Sequence, residues 1–322
     1  MSNFTKWLIA IISFFLLLVL ILEVFLSTKE VIQEKNYRKL HCFYEDFLFL
    51  CPNQEFVFIR KDQASWKITT NTFGERITPR TKTKEEYPEE IWFIGDSISY
   101  GYLVNDEETT PYLLDQNQKI PVRNLGVDSL GTLGILARLE KALKDHQQTI
   151  VHSLFWIYNS SDFDDDVWFQ HRQSQVFKKK LYFLHYELSK RSSIYTFLLM
   201  KRKTTFNVIP EVNVNPEILD FAHITFQNIS SFVAWISTQS RIKEFFVIIY
   251  PGMNVQTRTA DVESPITKNV VAFLQNQGVK IIDLRDEFAK SREFPYFEFD
   301  GHPSSVGYQI ISRSVISFLK NQ

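Results

Sequence analysis

From residue 90 onward, short apolar runs alternate with amphipathic ones. IWFIGDS reads as a buried strand ending in a loop, PVRNLGV as a second strand, IVHSLFWIY as a third, EFFVIIYP as a fourth and VKIIDLR as a fifth. Between and after them, TTPYLLDQNQ, LGILARLEKALKDH, NVVAFLQNQG and GYQIISRSVISFLKN carry apolar residues at helical spacing, and Gly278 stands where a left-handed helix cap belongs. A strand that is apolar throughout has no face to give to water. Such strands alternating with helices predict an α/β three-layer sandwich, a parallel sheet covered on both faces.

Ahead of this domain the pattern changes twice. Trp7 to Leu26 reads WLIAIISFFLLLVLILEVFL, with Glu23 its only charge. About 20 apolar residues cross a hydrocarbon core. A cleavable signal has a shorter apolar stretch and a small-residue cleavage site, and no A-x-A follows here. Residues 1–27 are therefore expected to be one transmembrane anchor. Residues 28–89 read as a connector, with FVFIR and WKITT as short strands and TPRTKTKEEYPEE as an exposed charged linker. Residues 90–322 form the main domain. A helical insertion at 164–240 interrupts it, bearing the basic-aromatic stretch VFKKKLYFLHYELSKRSSIYTFLLMKRK. Val176, Leu181, Leu184 and Leu188 suit one helical face, expected either to pack as a cap or to form a lid that touches a membrane surface.

Composition narrows the function. The formal net charge of -1 gives no basic excess to attract a phosphate backbone, so no nucleic-acid partner is expected. The 2 cysteines, Cys42 and Cys51, are too few for a disulfide scaffold or a zinc site. In an oxidising compartment they can pair, and otherwise they are two half-buried thiols. His41, His146, His152, His171, His185 and His223 show no metal-ligand spacing, and no phosphate-binding glycine loop is present. Neither a cofactor nor a metal is expected.

In open parallel sheets, ligands bind beyond the carboxyl ends of the strands. Here those ends are polar: Gly95-Asp96-Ser97, then Asn124 to Thr132, then Asn159-Ser160-Ser161-Asp162, and finally Asp300-Gly301-His302-Pro303. Acyl transfer needs a nucleophile, a base, an orienter for the base and donors for an oxyanion. Ser97 supplies a hydroxyl, His302 a base, and Asp300 an orienter two residues away, so one turn can hold both. Each residue also has a plainer reading. Ser97 could cap the following helix, Asp300-Gly301 could be an ordinary turn, and His302 could be structural.

Taken in order, these segments resemble the SGNH (GDSL) hydrolases. GDSISYG is similar to that family's first block, NLGVDSLGT to the second and DGHPSSVGY to the fifth, while YNSSDF occupies the place of the third. ITTNTFGER resembles the segment that precedes GDS in a membrane-anchored bacterial branch. The resemblance implies an SGNH, flavodoxin-like fold with Ser97 as nucleophile, Asp300 and His302 as its partners and the Ser97 N–H as one oxyanion donor. The family's next donor is a glycine, and Ser129 stands in its place with Gly126 and Gly131 on either side. The family's Asn donor aligns with Ser161, and Asn159 lies two residues earlier. If the strand runs that far, residues 159 and 161 share a face, and Asn159 is the better candidate.

The expected function is hydrolysis of a carboxylic ester, acetyl or short acyl, on a small molecule or on an envelope glycan or lipid. The alternatives are an O-acyltransferase using the same triad and a catalytically degraded, membrane-tethered binding module. Charge around the anchor leans toward a cytoplasmic domain, with Lys29, Lys35, Arg38 and Lys39 after it and Lys6 before it. Long C-terminal domains cross regardless of charge. The short first flank and the branch resembled place the N-terminus in the cytoplasm and the catalytic domain outside.

Overall fold

The structure, a computed structural model, describes residues 3–82, 87–173, 176–203, 217–254 and 256–321. Residues 83–86 of the charged run and 204–216 of the insertion lie outside the described residues, as does the side chain of Val176. In chain order the strands are β1 (His41–Tyr44), β2 (Phe47–Leu50), β3 (Glu55–Ile59), β4 (Ser65–Thr69), β5 (Glu89–Gly95), β6 (Val122–Asn124), β7 (Ile150–Tyr158), β8 (Ile242–Ile249), β9 (Met253–Asn254), β10 (Thr259–Ala260) and β11 (Lys280–Asp283). The helices are α1 (Asn3–Phe25), α2 (Lys29–Lys39), α3 (Ser97–Tyr100), α4 (Thr110–Asn117), α5 (Thr132–Asp145), α6 (Ser161–Gln173), α7 (Val176–Arg191), α8 (Ser193–Lys203), α9 (Glu217–Ser237), α10 (Pro265–Asn276), α11 (Arg285–Ala289) and α12 (Ser305–Lys320). Two compact units result: Met1–His41 with Arg172–Asn215, and Cys42–His171 with Pro216–Gln322.

The second unit is the expected α/β sandwich. Its sheet has the order β6-β5-β7-β8-β11, and every neighbouring pair is parallel. The chain moves outward from β5 to β6 and then returns to the other side of β5. The strand order therefore reverses between β5 and β7, and the ends of these two strands open the crevice where open sheets bind ligands. Both faces are filled. Ile91, Phe93, Phe155, Ile157, Phe246 and Ile248 pack with Leu114 of α4 and Tyr308, Ile311 and Val315 of α12. On the opposite face Trp156 meets Phe232 of α9 edge-on, with ring centroids 5.0 Å apart. Phe93, Phe155 and Phe246 are direct partners across three strands, and their rings stack at 5.1 Å in both steps. Such pairs contribute about 0.5–1.5 kcal/mol each beyond the area they bury.

The stretch read as a connector is largely built into this unit. The β3–β4 hairpin leads to Glu75 and Arg76, both fully buried. Arg123 on β6 is held between Glu75, at 2.7 Å, and Glu90 on β5, whose Oε2 accepts from Arg123 Nε at 2.6 Å. His146 Nε2 lies 2.8 Å from the other Glu75 oxygen. Nor is the charged run an exposed linker along its whole length: Thr78, Thr81 and Glu90 are buried, and the Thr78 hydroxyl donates to the Val122 carbonyl at 2.7 Å. A charge-rich composition concealed these contacts because the buried charges are paired with one another. Cys42 and Cys51 form a disulfide that closes the β1–β2 hairpin.

In the first unit, α1 has 23 residues and no buried position, and it is long and apolar enough to cross a membrane. At 1.5 Å per residue it extends about 35 Å. After it come α2 and, from the insertion, α7 and α8.

Candidate active site

Ser97 is the first residue of α3, separated from the end of β5 only by Asp96. The turn into it requires glycine: Gly95 has φ +144°, and a Cβ there would meet the Ile157 carbonyl oxygen at 2.7 Å and the Ser99 Cβ at 2.9 Å. Asp96, not Ser97, caps α3, its Oδ1 accepting from the Ile98 N–H at 3.0 Å. The capping reading of Ser97 is thereby removed, and its hydroxyl is available to other partners. At the start of a helix, amides have no intrahelical acceptor, which suits the Ser97 N–H to a donor role.

His302 comes from a tight turn between α11 and α12. The Gly301 and Asp300 amides both donate to the Phe297 carbonyl, at 2.8 and 3.2 Å, and the Phe297 amide donates to the His302 carbonyl at 2.8 Å. Gly301 takes φ +82°, a conformation that favours glycine. Tyr250 from the end of β8 fixes the turn, its hydroxyl donating to the Gly301 carbonyl at 3.2 Å.

These elements bring the three sequence candidates together. His302 Nε2 is 2.9 Å from Ser97 Oγ, and His302 Nδ1 is hydrogen-bonded to Asp300 Oδ1. A carboxylate only accepts, so Nδ1 carries the proton and the Nε2 lone pair faces the serine hydroxyl. The alternative acceptor, Asp96 Oδ2, is farther from Ser97 Oγ, at 3.3 Å. Burial disfavours the charged imidazolium, but the Asp300 carboxylate outweighs it and raises the His302 pKa above the usual histidine value. For Asp300 burial acts upward, and its bond to His302 prevails and lowers its pKa. The ring of Tyr102 lies against His302 with centroids 4.9 Å apart. The arrangement can transfer a proton from Ser97 to His302 while Asp300 holds the ring.

The expected oxyanion donors are not all placed alike. β7 stops at Tyr158, so residues 159 and 161 do not share a strand face. Instead Asn159 Oδ1 accepts from the N–H of Ser161 at 2.7 Å and from its hydroxyl at 2.6 Å, starting α6. Asn159 Nδ2 and the Ser161 hydroxyl both approach Asp96 Oδ2, at 2.6 and 3.1 Å. The Ser161 hydroxyl thus has two acceptors, whereas the Asn159 amide carries a second hydrogen. Ser129 adopts φ +58°, the left-handed backbone that favours glycine, and its N–H and hydroxyl serve the Asp128 carboxyl. Gly126 and Gly131 are packing glycines. A Cβ on Gly126 would strike the Tyr100 nitrogen at 2.2 Å, and one on Gly131 would strike Asp166 Oδ1 at 2.5 Å. The Gly126 amide is committed to Asn124 Oδ1 at 3.0 Å.

Some contributors were not singled out in the sequence. Arg76, inside ITTNTFGER, donates to the carbonyls of Tyr100 at 3.0 Å, Gly101, Val104 at 2.6 Å and Lys67 at 2.9 Å, and pairs with Asp106 at 2.8 Å. It thereby clamps the segment that follows Ser97. An acidic group also adjoins the site. Burial, ahead of neighbouring carboxylates, pushes Asp165 up to about 8, and burial raises Asp166 to about 6 and Asp162 well above the carboxylate range; it also raises Asp96 and Asp128. Among the described residues, no group of three or more His, Cys, Asp or Glu could hold a metal ion. An open cleft of about 460 Å³, lined by Met253, Arg258, Glu298 and Phe299, adjoins the turn that carries His302, where a Cβ on Gly301 would lie 3.5 Å from Met253.

No protein-family model matches the chain, and no curated protein matches it in sequence. Solved structures do. One is a member of the lipolytic protein G-D-S-L family from Veillonella parvula, 14% identical, with a TM-score of 0.43, covering 73% of this chain and 100% of that one. Another is a catalytic mutant of an acetylxylan esterase from Geobacillus stearothermophilus, 15% identical, with a TM-score of 0.40, covering 73% of this chain and 95% of that one. A third is an α/β hydrolase from the metagenome of Lake Arreo, 12% identical, with a TM-score of 0.43, covering 71% of this chain and 93% of that one.

Proposed function

We propose that the protein is a serine hydrolase that cleaves carboxylic esters, of acetyl or short acyl groups, by a Ser97–His302–Asp300 mechanism. The supporting observation is the 2.9 Å approach of His302 Nε2 to Ser97 Oγ, with Nδ1 held by Asp300. Ser97 Oγ attacks the ester carbonyl carbon while its proton passes to His302 Nε2. The resulting oxyanion is met by the Ser97 N–H and the Asn159 amide, with the Ser129 N–H shared with Asp128. Collapse expels the alcohol, which takes the proton from His302. Water then attacks the acyl-enzyme and gives a proton to His302, and collapse breaks the bond to Ser97 Oγ, which takes that proton back as the acid leaves.

The anchor and the disulfide support an extracytoplasmic site. Helix α1 has no buried residue, and a disulfide persists in an oxidising compartment. Esters on envelope glycans or lipids are therefore the substrate class. The cleft at Met253, Arg258, Glu298 and Phe299 is open and mixed in polarity, which suits the alcohol side of such a substrate.

The test is turnover of a short-chain aryl ester by the full protein in detergent. Wild type hydrolyses it, and Ser97→Ala removes nearly all turnover. Asn159→Ala lowers kcat by about 10²–10³, the usual cost of one oxyanion donor. Full activity in Ser97→Ala overturns the mechanism. Acyl transfer to an added glycan in preference to water would reassign the reaction to a transferase.

A further inference from the structure

In the first unit, hydroxyl side chains are buried on α7 and α8 while three leucines stand exposed beside Lys180, Arg191 and Lys201. Among the described side chains of α7 and α8, the buried ones beside Tyr186 are Ser189, Ser193 and Thr196, while Leu184, Leu188 and Leu198 are 54%, 40% and 55% exposed. A helix pair built for water does the opposite. The buried hydroxyls need no water either. Ser189 donates to the Tyr186 carbonyl at 2.6 Å, and Thr196 to the carbonyls of Ser189 and Ser192 at 2.7 and 2.8 Å. Small hydroxyl residues inside and leucines outside is the arrangement of helices whose surroundings are lipid.

The corner between α7 and α8 is tied to the anchor. Glu23 of α1 accepts hydrogen bonds from the Ser192 hydroxyl at 3.0 Å, the Ile194 N–H at 3.2 Å and the Ser193 N–H. Ser27 Oγ lies 2.7 Å from Ser193 Oγ, and Lys35 Nζ reaches Ser193 Oγ at 3.0 Å and the Glu23 carboxylate at 3.7 Å. Glu23 is the last charged position of α1, two residues from its end. The corner is therefore fixed where the apolar band gives way to water. Across residues 176–203 there are eight Lys and Arg against one Glu, a bias that suits anionic lipid headgroups.

We propose that α7 and α8 form a second lipid-contacting element, seated at the surface of the bilayer that α1 crosses, with Leu184, Leu188 and Leu198 toward lipid and Glu23 as the latch holding their corner. This rests on α1 spanning the membrane. The corresponding experiment places an environment-sensitive fluorophore at one introduced cysteine at a time: Leu184→Cys, Leu198→Cys, and Leu16→Cys inside α1. The full chain is reconstituted into phosphatidylcholine–phosphatidylglycerol vesicles carrying a shallow or a deep nitroxide lipid.

The probe at 16 should be quenched by the deep label, and failure there would refute the spanning reading itself. With 16 quenched, probes at 184 and 198 should lose about half their intensity to the shallow label and be shielded from aqueous iodide. Open access of iodide to 184 and 198 overturns the lipid contact. So does shielding without lipid quenching, because protein would then cover the face. Glu23→Ala should abolish lipid quenching at 198, and Glu23→Gln, which keeps an acceptor, should retain part of it. Unchanged quenching in Glu23→Ala overturns the latch. Retained ester turnover in each variant certifies that the second unit is folded.

Discussion

A serine that ends a buried strand is ordinary, and so is a histidine one residue past an Asp-Gly turn. Ser97 and His302 acquire meaning only as a pair 205 positions apart in sequence and 2.9 Å apart in space. The pair was legible because each residue sits in a polar cluster at the edge of a predicted strand or turn. The oxyanion side was less legible. Whether Asn159 or Ser161 donates depends on where β7 ends, and an apolar run does not fix its last residue. The Asp300–His302 contact carries a prediction. Because Asp300 raises the His302 pKa and the base must be neutral, kcat/KM should climb with pH through a value above that of an ordinary histidine. Asp300→Asn should move this acidic limb downward as it lowers the rate. A pH–rate series on both proteins checks it, and an unmoved limb would remove Asp300 from its role.

At the scale of elements, periodicity found the five sheet strands and the helices between them because each buries an apolar face. It did not find the role of ITTNTFGER, whose work is polar. Glu75 and Arg76 occupy no apolar stripe, yet they tie the β3–β4 hairpin region to β5, β6 and the segment after Ser97. Removing one partner from a buried ion network leaves the others uncompensated, at a cost of about 3–5 kcal/mol. Glu75→Ala should lose stability on that scale in urea unfolding followed by tryptophan fluorescence, whereas Glu55→Ala, in an exposed pair with Lys67, should lose little. Burial raises the Glu75 pKa, but Arg123 and His146 outweigh it and hold the pKa well below the carboxylate range. Its contribution is therefore complete above the ordinary carboxylate pKa and is lost only as pH falls through the depressed value, in strong acid.

At the scale of the whole molecule, the chain divides into an α/β unit that holds the proposed site and a unit that carries α1. Hydropathy alone made α1 visible, but not the division of the insertion: α7 and α8 belong with α1, and α9 with the sheet. The apolar face and the Lys and Arg residues there gave two readings, cap and lid, and neither specified a tie to Glu23. Protease added to intact spheroplasts should digest the second unit if it lies outside the cytoplasm, and protection until lysis would place it inside. Against the degraded-module alternative, the most direct measurement asks whether Ser97 is activated. A fluorophosphonate probe should label the folded wild-type chain at Ser97, with His302→Ala and Asp300→Ala labelling far more slowly. A folded wild-type chain that takes no label, or takes it at another serine, would contradict the account.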